Sequence, residues 1–435
     1  MALSDVSPTI FPAPVRWLTT TPATPAGAAP VRSLYVHVPF CAHKCEYCAF
    51  YSAPPSGDVV NRYVAALVRE LELIAPDCHP DTVFFGGGTP SLLTLKQWET
   101  ILVTMERLSL TRAAEWTVEC NPATVSADKA KLLRDFGVNR ISMGVQSLDE
   151  HLLERLGRIH TRDQVFRSFE TLRGAGFDNL NVDLMFAIPG QTMALWQQTL
   201  DEALALGSEH LSSYEVIYEE DTPLFAQLNA GEFDVDEDLA CNLYDALIDR
   251  SGEAGFRQYE IANFARDRRS KDQAPLTNDQ ESQVGASGIG NRSLDLPTFA
   301  CRHNVGYWRG LDSYGCGPSA SEYVRGLRAK NWSNTALYCE QLEKGRRAKE
   351  MAEALPPLAR AGELAAFGLR MNRGWGFAEF SDRTGFDLRQ EWQTDLDSLV
   401  QRGWAAFTGD RFHLTRAGLR FADAAAEQLL RPVAD

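Results

Sequence analysis

The sequence predicts an α/β fold: a partial (β/α)6 barrel of TIM type, followed by a smaller C-terminal winged-helix-like module. From Ser33 to about residue 217, short and nearly continuous apolar runs alternate with long amphipathic stretches, the signature of a parallel sheet linked by helices. The glycines and polar residues that look out of place fall at the C-terminal ends of those runs, which in a barrel face one mouth. The chain has 435 residues, too many for one ordinary domain of roughly 100–200. A flat doubly wound sheet is the main alternative topology.

Taken in order, residues 1–30 are rich in Pro, Ala and Thr and keep no period; such a segment cannot offset its ordering entropy and is expected to be a disordered lead. Strands are expected at 33–38, 82–85, 116–120, 140–145, 179–187 and 211–217. Helices are expected at 58–75, 94–108, 126–136, 161–175 and 192–206. In the first helix Val60, Tyr63, Val64, Leu67, Leu71 and Ile74 recur at helical spacing, and Asp58 can cap it. Together 31–265 form the expected barrel. Residues 266–300 are dominated by Ser, Gly, Asp, Gln and Asn and are longer than usual connections, so they read as a flexible insertion. Residues 301–354 form a connector. From 355 onward, helices at 359–370 and 388–401, a hairpin over 404–414 turning at Gly409 and a helix from about Arg416 give the winged-helix pattern.

Composition narrows the function. The formal charge is −15 with a pI near 5.1, the opposite of a nucleic-acid-binding footprint. The C-terminal module has ten Arg against eleven Asp plus Glu, which favours packing or docking over DNA binding. No apolar run approaches the roughly 18 residues of a membrane span, so no stable membrane insertion is expected. Nine cysteines in so long a chain are too sparse for a disulfide framework, and reduced thiols in the cytoplasm are the expectation.

The sharpest signal is Cys41-Ala-His-Lys-Cys45-Glu-Tyr-Cys48, three thiols within eight residues just after the first strand. Soft thiolates at this density suit an iron–sulfur cluster or zinc. Structural zinc sites use paired C-x2-C units and four ligands, whereas the local count here stops at three. Three ligands on a four-iron cluster leave one iron open. The other cysteines, Cys78, Cys120, Cys241, Cys301, Cys316 and Cys339, show no ligand spacing and read as small buried side chains; Cys301 adjoins Arg302 and His303.

C-x3-C-x2-C after a first barrel strand resembles the radical S-adenosylmethionine superfamily, and Tyr35-Val-His-Val-Pro-Phe40 resembles its coproporphyrinogen III oxidase (HemN-like) family. The resemblance covers about 33–265 and 301–430. It implies a 4Fe-4S cluster on Cys41, Cys45 and Cys48, whose open iron is chelated by the amino and carboxylate groups of S-adenosylmethionine, and an electron donor to the cluster. Carried over position by position, Gly87, Gly88 and Thr89 in the run Gly86 to Pro90 resemble the stretch whose bare backbone approaches the methionine end. Tyr35 resembles the tyrosine beside the cluster, and Tyr47 lies where the family's backbone meets the adenine. Glu119 resembles the carboxylate that holds the nucleoside. Gln146, Arg158 and Asp183 resemble the remaining cofactor contacts. His37 and His43 match nothing and read as structural.

Two branches of the family compete. The dehydrogenase branch decarboxylates coproporphyrinogen III and carries a fourth cysteine two residues after the third; here Phe50 stands in that place. The HemW branch, which resembles a heme chaperone, is marked by HNxxYW, and this chain contains His303-Asn304-Val-Gly-Tyr307-Trp308, preceded by Tyr259-Glu-Ile-Ala-Asn-Phe264. The resemblance therefore implies heme, an acceptor protein that receives it, with respiratory proteins as candidates, and His303 as the first candidate heme ligand with Cys301 as its competitor.

Overall fold

The fold is that of a computed structural model, which describes residues 27–267 and 295–431. The expected disordered lead over 1–30 and flexible insertion over 266–300 therefore fall mostly outside the described residues.

Six strands run parallel in chain order: β1 (Val31–Val38), β2 (Cys78–Gly87), β3 (Glu115–Cys120), β4 (Arg140–Gln146), β5 (Leu180–Phe186) and β6 (His210–Glu215). Each pairs with the next. A doubly wound sheet reverses its order midway; this one does not, so the barrel-type order holds. Two antiparallel strands, β7 (Arg257–Glu260) and β8 (Asn263–Ala265), extend the β6 edge, and β9 (Tyr314–Cys316) adds a parallel strand outside β1. The sheet is thus an open one of nine strands, with β7 and β9 at its edges.

The helices form at 57–74, 95–107, 127–135, 162–174 and 193–205, within a residue or two of the expected bounds. Thr94, Ser126, Thr161 and Thr192 cap four of them, with full capping boxes to Gln97 and Gln164. These caps satisfy helix N–H groups that would otherwise be orphaned. Asp58, expected to cap the first helix, lies inside its first turn instead, behind Ser56. β2 starts four residues earlier than expected. Pro80 has no N–H to give to a ladder, and the pairing with β1 breaks register between Val31 and Ser33.

Along each strand the side chains alternate. On β1, Leu34, Val36 and Val38 are wholly buried toward the helices, while Ser33, Tyr35 and His37 face the barrel interior. The inward residues of the other strands are largely polar: Thr82, Glu115, Thr117, Glu119, Arg140, Ser142, Asn181, Asp183, His210 and Ser212. The apolar core therefore lies between sheet and helices, and the sheet's concave side is reserved for a site.

The two ends of the insertion meet. Phe299 N–H donates to Arg266 O at 3.3 Å, and Thr298 N–H donates to Asp267 at 3.0 Å. Residues 259–265 and 296–305 share one apolar cluster with Met371. The C-terminal part adds a three-stranded sheet, in the order 375–376, 411–414, 405–408. It also adds a helix at 377–384 that was not among the expected elements; Phe380 on it packs edge-on between Trp375 and Trp392. Among the described residues no helix is long and apolar enough to cross a membrane.

Candidate functional site

A cavity of ≈ 480 Å³ opens at the C-terminal ends of the strands and is lined by Cys41, Cys45, Tyr47, Cys48, Gly87, Gly88, Thr89, Glu119, Gln146, Arg158 and Asp183. Eleven of the thirteen residues singled out in the sequence thus meet in one place. Tyr35 and His303 do not.

The cysteine loop is held at both ends and in its middle. Cys41 N–H donates to Ala53 O and Ala53 N–H to Pro39 O, while Glu46 N–H donates to Leu156 O and Glu46 O accepts from Leu224 N–H. Tyr47 packs against the apolar cluster of Leu152, Leu156, Met185 and Leu224, which anchors the loop, and it lines the cavity beside Cys45 and Arg158. Thr89 Oγ1 lies 3.6 Å from Cys41 Sγ and Arg158 Nη1 3.5 Å from Cys45 Sγ. Donors aimed at sulfur are the support that a thiolate ligand uses. Burial pushes the Cys48 thiol up, a cost that a bound metal relieves. Among the described residues no three His, Cys, Asp or Glu converge on a single metal ion.

The glycine run serves the protein first. Gly87 has φ +99°, and a Cβ there would sit 2.3 Å from the His37 ring; one on Gly88 would sit 2.6 Å from Val38 O. Gly88 N–H and Thr89 N–H donate to Val38 O and Phe40 O, so the run lies directly on the end of β1. Gly87 N–H also donates to Glu119 Oε2 at 3.2 Å. His37 is braced by its neighbours: its Nε2–H donates to Tyr51 O at 2.9 Å, and its Nδ1 accepts from Tyr35 Oη at 3.0 Å. Tyr35 accordingly sits one layer below the cavity, bracing His37 beneath Gly87.

Two carboxyls face the cavity. Asp183 accepts from Ser142 Oγ at 3.0 Å and Asn181 Nδ2 at 2.7 Å; burial raises its pKa while these bonds pull it back. Burial, and then the charge of Asp183, push Glu119 up to about 8. Arg158 is spent on Cys45 Sγ and on Gly144 O, the latter at 2.5 Å. The site therefore holds an acidic pair suited to a cationic ligand. Gln146 takes φ +65°, uncommon for a non-glycine residue, at the register break between β4 and β5; this turns it into the cavity.

His303 enters the barrel from the opposite end. Its Nδ1 lies 3.1 Å from both Ser33 Oγ and Thr82 Oγ1, near the strand beginnings, and its ring lies 5.2 Å from that of Phe84. Burial, and then Arg140, hold it down at about 4, so it is neutral at pH 7. Glu115 accepts from the N–H groups of Arg302 and His303 and from Cys301 Sγ, and burial pushes the Cys301 thiol up to about 12. Tyr307 stays 57% exposed and stacks on Phe367. Sequence reasoning missed the inward polar residues Ser142, Asn181, His210 and Ser212. The i, i+2 spacing of polar residues within otherwise apolar strands was the available signal.

The chain matches the radical SAM superfamily over residues 35–203 and the HemN C-terminal domain over 355–421. It resembles in fold the coproporphyrinogen III oxidase (HemN) of Escherichia coli, a radical SAM enzyme, with a TM-score of 0.74 at 21% identity over 92% of this chain and 90% of that one. It is 30% identical to the heme chaperone HemW of Lactococcus lactis, over 92% of this chain and 97% of the relative. It is 31% identical to the heme chaperone HemW of Bacillus subtilis, over 89% and 96%, and 34% identical to that of Escherichia coli, over 67% and 70%. With matches of this identity running nearly end to end, and with three thiols, a glycine run and an acidic pair converging at the mouth of the sheet, the chain belongs to the HemW family of radical SAM proteins.

Proposed function

We propose that the protein is a heme chaperone: it binds heme and transfers it to an acceptor protein in the cytoplasm, with an electron donor serving its cluster. The observation that carries the cofactor part is the convergence of Cys41, Cys45 and Cys48 with Glu119 and Asp183 on one cavity. Cys41, Cys45 and Cys48 hold a 4Fe-4S cluster, and the cavity holds S-adenosylmethionine on Gly87, Gly88, Thr89, Glu119, Gln146, Arg158 and Asp183. When bound, the cluster supplies an electron that can split the sulfonium. The protein's part is to orient: Arg158 and Thr89 support the thiolates, Asp183 and Glu119 face the ligand's positive charge, and Tyr35 braces the glycine run through His37.

Heme is placed on the segment 301–308. Of the two candidate ligands, His303 is favoured. It is neutral at pH 7, and with Nδ1 turned to Ser33 and Thr82 it leaves Nε2 for iron. Cys301 is wholly buried, bonded to Glu115 and kept a thiol. The exposed Tyr307 ring marks the face on which a macrocycle packs.

The test is anaerobic reconstitution followed by parallel assays of heme binding and of coproporphyrinogen III conversion. We expect a Soret band that shifts in His303→Ala but not in Cys301→Ala, and S-adenosylmethionine binding that weakens in Asp183→Ala with iron content intact. Robust decarboxylation without heme retention would overturn the chaperone reading in favour of the dehydrogenase.

A further inference from the structure

Inside the barrel, between the cofactor cavity and the start of the 301–308 helix, lies a chain of buried polar groups that the cofactor contacts do not use. Asn181 Nδ2 donates to Asp183 Oδ1 at 2.7 Å and to Ser142 Oγ at 2.7 Å. Both amide hydrogens are thereby spent, so Asn181 Oδ1 is the face turned to His210, 2.6 Å from its Nδ1. An amide oxygen only accepts, so His210 carries its proton on Nδ1. Nε2 is then an acceptor, and Tyr259 Oη, 2.7 Å away, must donate to it. With its hydrogen committed, the Tyr259 oxygen accepts from Cys301 N–H at 3.1 Å. Every donor in the series points the same way, from the backbone at Cys301 to the Asp183 carboxylate. His210 and Cys301 are wholly buried, Asn181 is 1% exposed and Tyr259 4%, so no water competes for these bonds, and bonds aligned in one sense polarise one another.

We propose that His210 is a positioning residue: it fixes Asp183 for S-adenosylmethionine through Asn181, and through Tyr259 it ties that carboxylate to the backbone that begins the HNxxYW segment. The inference rests on the proposed function for the placement of the cofactor at Asp183. Its consequence is linkage. A ligand that pulls on Asp183 tightens the series down to the Cys301 N–H, and by reciprocity a ligand on 301–308 alters cofactor affinity by the same factor. Breaking the series leaves the thiolate loop untouched, since none of its members contacts Cys41, Cys45 or Cys48.

The experiment uses the full chain, reconstituted with its cluster under anaerobic conditions, and reads two quantities: S-adenosylmethionine affinity, and amide hydrogen exchange over 299–305 with and without that ligand. In the native chain, adding S-adenosylmethionine should slow exchange at Cys301. His210→Leu should weaken binding about fivefold or more at unchanged iron content, and should abolish the exchange response. His210→Gln keeps an acceptor at one end and a donor at the other in the original sense, and should recover most of both readouts. Tyr259→Phe removes the hydroxyl that donates to His210 Nε2 and accepts from Cys301 N–H, and leaves the bonds from His210 through Asn181 to Asp183: affinity should stay close to native while the exchange response disappears. A merely structural network would lower thermal stability equally in His210→Leu and His210→Gln without moving affinity, which overturns the proposal. So does unchanged exchange at 299–305 when the native chain is saturated with ligand. A native chain that binds no S-adenosylmethionine overturns the functional reading, and this inference with it.

Discussion

Glu119 should make S-adenosylmethionine binding depend on pH in a way that its removal abolishes. Burial and the neighbouring Asp183 push its carboxyl up to about 8 from an ordinary 4.5. A cationic sulfonium and ammonium favour the ionised form, so binding expels the proton. Below the carboxyl's pKa, affinity should therefore rise by about tenfold, or about 1.4 kcal/mol, per pH unit. Glu119 is about 99% protonated at pH 6 and about half protonated at pH 8, which sets a total gain of roughly 50-fold between those values. Glu119→Gln mimics the protonated form at every pH. The two proteins should bind alike at pH 6 and diverge toward pH 8. Anaerobic calorimetry in buffers of different ionisation enthalpy measures both affinity and proton release. The ratio of native to variant affinity cancels the titration of the ligand's own amino group. A ratio that stays constant from pH 6 to pH 8 would refute the reasoning. The stability of the ligand-free protein moves the other way. Between 4.5 and about 8 the native Glu119 keeps a proton that the unfolded chain has released, so stability falls as pH rises through that window.

Replacing any one of Cys41, Cys45 and Cys48 by Ser should abolish the visible absorbance of the reconstituted cluster, while Cys120→Ser, on the same cavity wall, should leave it. A triple variant that still binds four irons per chain would remove the assignment. Gly88→Ala places a Cβ 2.6 Å from Val38 O and 2.7 Å from Phe40 O, both backbone atoms that cannot turn aside. It should cost about 1–3 kcal/mol, as overpacked sites do, read as a lowered Tm even before any cofactor is added. A Tm equal to that of the native chain would mean that the glycine run does not rest on β1.

The alternation of apolar strands with capped helices is local chemistry, and it left the barrel legible from sequence with little error. So was the thiol triplet, because its three members are adjacent in the chain. The tail of the fold was less legible. The helix at 377–384 depends on Phe380 finding Trp375 and Trp392, and β7 to β9 depend on edges that exist only once the sheet is assembled. In the chain the insertion lies between Phe264 and the HNxxYW motif, yet Tyr259 Oη accepts from Cys301 N–H across it; closing even a long loop costs little.

By itself the sequence determined which residues carry chemistry: thiols, glycines and carboxyls, each recognisable by type and by its place at a strand end. The tertiary structure decided how they are shared out. It raised Glu119 by setting it beside Asp183 in a buried place, and it spent the glycine run on β1. It moved Tyr35 a layer below the cavity and sent His303 to the far end of the barrel, against Ser33 and Thr82. None of these is visible in a string of letters, because each is set by the strand register that lays distant residues side by side and by the burial that the surrounding sheet imposes on them.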